Sequence, residues 1–224
     1  MFKTSIFLEA LTAPALIKGA GVALLLSCLV QIFSFLGCLP VAVALGSNRR
    51  RFRIASNLYV WFFRAAPLLL VLLIVWNAIP QAFPSLMKAS WYTPFFSAFI
   101  AMSLVTIAYL SELMRGALLA LGRGQSDAAA ALGLTPFKAF ILVSLPQAFR
   151  IALPGLINEF INLVKLTSLA YVISLREIMA IVNESIASSF RFVEWYMAAL
   201  IYYLVIVSVL MLLQSYIQRR LSQK

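Results

Sequence analysis

The chain has 224 residues, 63% of them apolar and only 11% charged, with a mean hydropathy of +0.99. A soluble domain is about half apolar and needs more charge to clothe its surface, so composition excludes one and predicts an all-α, polytopic membrane protein. The formal charge of +11 reports orientation in a membrane chain rather than a nucleic-acid partner.

Histidine is absent, which removes the commonest general base and the commonest metal ligand. The sequence also lacks a G-x-S-x-G elbow and paired aspartates at membrane depth, which argues against an intramembrane enzyme. No catalytic, metal or cofactor site is expected on this chain. Cys28 and Cys38 lie ten residues apart in one apolar run, about 15 Å along a helix, so they cannot pair and read as packing residues.

Apolar length predicts five spans. The first, Leu16 to Leu45, is too long for a cleaved signal, lacks a small-x-small cleavage site, and ends in the basic stretch Asn48 to Arg53; it reads as an uncleaved span. The second, Leu58 to Ile79, carries Arg64, with Pro67 one turn later expected to kink the helix. The third runs from Pro94 to Leu118, the fourth from Gln147 to Leu175, and the last from Trp195 to Tyr216. Between the last two, Arg176 to Glu194 is moderately apolar with charges throughout, the pattern of a helix lying at the interface.

Arg49, Arg50, Arg51 and Arg53 follow the first span; Arg115, Arg123, Lys138 and Arg150 surround the segment after the third; Arg219, Arg220 and Lys224 close the chain. An odd number of spans puts all three groups on one side. The positive-inside rule then makes the N-terminus external and the C-terminus cytoplasmic. Trp91, Tyr92 and Trp195 fall at outer span ends, where amphipathic aromatics favour the interface.

The loop after the third span, about 119–146, has its own grammar. Asp127 opens a run of alanines that ends at Gly133, the residue type that caps a helix in the left-handed conformation. Thr135 followed by Pro136 then signals a new helix start. Two short helices joined at a glycine are predicted, with small alanines that admit a close partner and with Leu134 and Phe137 able to fill a cleft.

Ionisable groups at membrane depth are costly and mark pathways or pairs. In the fourth span Asn158, Asn162, Lys165 and Ser168 recur at three or four residues on one face, with Glu159 and Thr167 beside them. Glu159 and Lys165 either receive the opposite charges of a solute, or neutralise each other or pair across helices and touch no solute. Arg64 either pairs or lines the same path. In the third span Ser103, Thr106, Tyr109, Glu112 and Arg115 form a drifting stripe; Glu112 and Arg115, at i,i+3 spacing near the cytoplasmic end, read as an ion pair at a gate.

The spacing Asp127-Ala128-Ala129, three residues, Gly133, nine residues, Val143-x-Leu145-Pro146 resembles the EAA signature of ATP-binding-cassette importer permeases. The likeness extends to the branch that carries polar amino acids and opines. Its residues here are Phe63-Arg64-Ala65-Ala66-Pro67-Leu68-Leu69; Ala108-Tyr109 with Glu112 and Arg115-Gly116-Ala117; Gly124-Gln125; Leu145-Pro146-Gln147-Ala148; Leu153-Pro154; Asn158-Glu159-Phe160-Ile161; and Lys165 with Thr167-Ser168-Leu169. Four positions depart from the pattern: Asp127 replaces Glu, Ala65-Ala66 replace Gly-Thr, and Leu166 stands where many relatives are acidic or polar.

The resemblance implies one permease domain over 1–224 that forms a translocation path by alternating access. It implies that Asp127, Ala128, Ala129, Gly133, Leu134 and Phe137 dock a cytoplasmic ATPase. This chain has no G-x-x-x-x-G-K-[ST] motif, so ATP and magnesium belong to that partner. An extracytoplasmic substrate-binding protein, a second permease chain and membrane lipid complete the expected partners. The rival class, an ion-gradient-driven secondary transporter, requires inverted repeats and interrupted helices at the midplane, and neither is evident in the sequence.

Overall fold

A computed structural model describes residues 2–122 and 124–222. Arg123 and Lys224, counted above among the basic residues, lie outside them. Among the described residues four helices are long and apolar enough to cross a membrane, and a helix pair bent by 101° makes a fifth crossing if the two halves are one broken span. No strand occurs among the described residues.

The first span is α2 (Pro14–Leu45) and the third is α6 (Pro94–Ala120), and they pack along each other as the centre of the bundle. Lipid is as apolar as leucine, so membrane helices associate through close fit rather than water exclusion. The sequence supplies that fit with small residues. Ala23, Ser27, Ser34, Cys38 and Ala42 are buried on α2, facing a helix that buries Ala98, Ala101, Ala108 and Ala117. α6 is the most deeply buried crossing, and α11 (Phe192–Ser222) the least.

The second crossing is not one kinked helix. It is α3 (Arg50–Ala65) and α4 (Leu68–Leu73), the latter continuing through a π turn at Ile74–Ala78 into α5 (Ile79–Ala82). The fourth crossing also differs from the expected Gln147 to Leu175. α8 (Pro136–Ala139), a π turn at Phe140–Ser144, α9 (Leu145–Leu166) and a 3-10 turn at Thr167–Ile173 form one continuous rod. The second short helix of the loop is therefore the first turn of a span. Each π turn directly precedes a proline region, Pro80 or Pro146; widening the helix accommodates a ring that lacks an N–H and crowds the carbonyl one turn back.

At the end bearing the N-terminus, three pieces gather. Short α1 (Thr4–Thr12) lies against α11, where the Lys3 backbone N–H donates to Glu194 at 2.9 Å and the Tyr202 hydroxyl donates to the Leu11 carbonyl at 2.8 Å. The segment expected at the interface holds α10 (Ile178–Ser189), which packs against α2 and α11. Its start sits on α2 at Gly19, where a Cβ would lie 2.9 Å from the Glu177 carbonyl carbon and 3.0 Å from the Ile178 nitrogen. Backbone atoms cannot rotate away, so Gly19→Val is expected to destabilise the bundle by about 1–3 kcal/mol. A thermal melt in detergent reads this directly, and an unshifted midpoint would show that α10 yields freely.

Candidate functional site

The break between α3 and α4 builds a cavity wall. Ala66 precedes a proline and is barred from the helical region; its ψ is 129°, and Pro67 repeats that extended conformation with φ −61° and ψ 129°. Two consecutive extended residues turn the chain where a lone proline would only bend it. Irregular backbone at membrane depth is tolerated where it lines a protein cavity, and one of 630 Å³ opens here. Arg64, Ala65, Ala66, Pro67 and Leu68 line one side. Met102, Val105, Thr106 and Tyr109 come from α6, and Glu159, Asn162, Leu163, Lys165 and Leu166 from α9.

Three ionisable side chains thus share a single chamber: Arg64, Glu159 and Lys165. The Arg64 guanidinium lies over the Tyr109 ring, 5.5 Å from its centroid, while the Tyr109 hydroxyl donates to the Arg64 carbonyl at 3.4 Å. That clasp holds the arginine at the helix break. Among the described residues neither Glu159 nor Lys165 makes an ion pair within 4.0 Å. Thr106 and Tyr109, read in the sequence only as part of a stripe, are cavity residues. Polar spacing on α6 opposite the charged face of α9 was the signal for them.

The remaining candidates of the fourth span lie elsewhere. Asn158 turns towards α11, where its side-chain oxygen accepts from Gln214 Nε2 at 2.8 Å. Thr167 is fully buried and donates to the Val164 carbonyl at 2.7 Å; Ser168 donates to the Lys165 carbonyl at 2.7 Å. Glu112 and Arg115 form an ion pair at 2.8 Å.

In the loop, α7 (Gly124–Ala131) ends at Gly133, whose φ is +74°. The Gly133 N–H donates to the Ala130 carbonyl and the Leu134 N–H to that of Ala129, a Schellman close that only a residue free to adopt positive φ completes without strain. Thr135 then caps the next rod by accepting from the Lys138 N–H at 3.4 Å, with Pro136 at its first position. Gln147 Nε2 donates to Gln125 Oε1 at 3.2 Å and ties the hairpin to α9. Asp127, Ala128 and Phe137 are exposed, Leu134 is half-buried, and Ala129 is buried beneath the hairpin. Leu132, not singled out in the sequence, is 81% exposed and Phe137 75%.

A helical membrane bundle with a charged, broken-helix cavity and a capped polar-loop hairpin is the architecture of a transport permease. The chain belongs to the family of binding-protein-dependent transport system inner membrane components, which it matches over residues 38–223. It is 33% identical over 210 residues to the probable amino-acid permease protein YxeN of Bacillus subtilis (strain 168), covering 94% of this chain and 92% of that one. It is 35% identical over 215 residues to the probable amino-acid ABC transporter permease protein PatM of Vibrio harveyi, covering 94% and 93%. A crystal structure of an amino acid ABC transporter with histidines superimposes with a TM-score of 0.85 at 26% identity, over 98% of this chain and 99% of that one. The chain is the multi-pass permease subunit of an ATP-binding-cassette importer, and the interrupted second crossing does not make it an ion-gradient carrier.

Proposed function

We propose that this permease carries a polar amino acid or opine-like compound, and that the chamber at the helix break is its path. The observation that carries this reading is the convergence of Arg64, Glu159, Asn162 and Lys165 on one cavity. An amino acid presents an ammonium and a carboxylate; Glu159 suits the first, and Lys165 with Arg64 the second. Of the fourth-span candidates, Asn158, Thr167 and Ser168 support the helix that presents these groups. The Glu112–Arg115 pair serves as a gate element near the cytoplasmic end of α6.

The N-terminus is external and the C-terminus cytoplasmic on this reading, which places α7 in the cytoplasm. The hairpin, with Asp127, Ala128, Gly133, Leu134 and Phe137, docks a partner ATPase that binds ATP and magnesium. A substrate-binding protein delivers the solute, and a second permease chain, a copy or a homologue, completes the path. ATPase closure moves the docked hairpin as a rigid body, and the continuous rod behind it shifts the cavity between outward and inward access.

The test is ATP-driven uptake into proteoliposomes holding the permease pair, its ATPase and its binding protein, with arginine, glutamine, cystine and an opine as competitors. Losing a charge-assisted contact costs about 1.5–3 kcal/mol, so Glu159→Gln and Lys165→Met are each expected to lower uptake about tenfold to hundredfold. Basal ATP hydrolysis should persist. Uptake unchanged in both variants removes these residues from the path, and uptake that survives ATP removal but not an ionophore removes the mechanism.

A further inference from the structure

A second cavity, of 750 Å³, shares no lining residue with the charged chamber and lies between the end of α2, the start of α3 and the rod that begins with α8. Leu39, Pro40, Val43 and Ala44 form one wall, and Phe137, Phe140 and Ile141 form the other. From Leu39 to the end of α2 at Leu45 is six residues, about 9 Å of helix, so the groove runs from the end of α2 into the apolar layer. At its open end stands Arg49, beside Ser47 and Phe52.

Arg49 is the first of four arginines, with Arg50, Arg51 and Arg53 next in the chain. Their arrangement is electrostatically unfavourable by itself. They crowd the first turn of α3, the positive end of its dipole, where cations are disfavoured, and no side chain caps that helix. The sequence holds no acidic residue between Glu9 and Glu112. Among the described residues none of the three ion pairs involves these arginines; Arg53 reaches only the Ser47 carbonyl at 3.5 Å. Four unneutralised cations at the mouth of an apolar slot match a molecule with an anionic head and hydrocarbon tails.

We propose that this groove binds an anionic phospholipid, with its phosphate on Arg49 and the neighbouring arginines and an acyl chain between Pro40, Val43 and Phe140. The leaflet, cytoplasmic, rests on the topology proposed above; the binding itself does not. Because the far wall belongs to the rod that leads from the loop hairpin into the membrane, the lipid sits where it stiffens the link between the two. The occupant distinguishes this site from the proposed solute path, whose lining carries both signs of charge in Arg64, Lys165 and Glu159.

The purified full-length chain, delipidated in detergent, is titrated with phosphatidylglycerol, phosphatidylcholine or inorganic phosphate, and retained lipid is counted by native mass spectrometry alongside the thermal midpoint. Phosphatidylglycerol is expected to be retained and to raise the midpoint; phosphatidylcholine and inorganic phosphate are not. Each arginine among Arg49, Arg50 and Arg51 replaced by Gln should weaken retention about fivefold. Ala44→Trp fills the slot and should abolish retention, and Val43→Trp serves if that variant does not fold. Equal retention of both lipids, a response to phosphate alone, or retention unaffected by the substitutions overturns the proposal. So does a Val43→Trp variant that keeps its lipid but splits a pair of permease chains, which would assign the groove to a second copy.

Discussion

Leu132→Glu is expected to leave the chain folded and inserted while cutting ATP-driven uptake to background. Leu132 is 81% exposed and Phe137 75%, and they flank the glycine turn of a hairpin that otherwise has no reason to show apolar side chains to water. Truncating a residue that anchors an interface costs about 2 kcal/mol or more, about thirtyfold in affinity, so Phe137→Ala should weaken capture of the ATPase by at least that factor. A glutamate at position 132 goes further, since it would bury an unpaired charge in the contact. The structure also identifies the wrong variant for this purpose. Ala129 is 3% exposed, so Ala129→Glu would disrupt the hairpin itself and mimic lost docking. Co-purification with the ATPase and uptake in proteoliposomes give the answer together; normal uptake by Leu132→Glu would take the hairpin out of energy coupling.

The contrast between Leu132 and Ala129 shows how far sequence reasoning reached. Asp127, Gly133 and the Thr135-Pro136 pair announce helix ends through local chemistry, and the structure has a hairpin there with each cap in place. Which alanine faces inward is a tertiary matter that an alanine run cannot encode. The exposed leucine beside the capping glycine was the available signal. Pro67 likewise announces an interruption, because it restricts Ala66, but a sequence does not say that Pro67 itself will also be extended and turn the chain through 101°. The charged chamber depends on that turn.

On the fourth span the helical period groups Asn158 with Asn162 and Lys165, yet the structure divides them. Gln214 of α11 draws Asn158 to the far side, and the tightening to a 3-10 turn at Thr167 ends the regular spacing before Ser168. A stripe three or four residues wide spans enough of the helix surface for two neighbours to compete for it. Periodicity finds the stripe, and only the packing of α6 and α11 divides it.

Glu177 carries the other large effect, and it lies outside the spans. Its side chain is fully buried, yet it caps α10, with one oxygen accepting from the Ala180 N–H at 3.0 Å and the other from the Tyr203 hydroxyl at 2.9 Å. Burial is the dominant influence and pushes its carboxyl from 4.5 up to about 7, against the opposing pull of the hydrogen bonds. The folded protein therefore holds a proton that the unfolded chain has released between those values. This contribution to stability is full below about 4.5 and is lost as pH rises through about 7, on the order of 3 kcal/mol in all. The thermal midpoint of the wild type should fall across that window. Glu177→Gln keeps an acceptor for Ala180 and a partner for Tyr203, so it should flatten the profile at little cost. Glu177→Leu removes the cap and takes one partner from the half-buried Tyr203 hydroxyl, and should cost about 1–3 kcal/mol at any pH. Because α10 rests on α2 at Gly19 and Tyr203 belongs to α11, the same residue ties three elements at the N-terminal end of the bundle. A pH profile that Glu177→Gln leaves unchanged would place the titrating group elsewhere and reduce Glu177 to a cap.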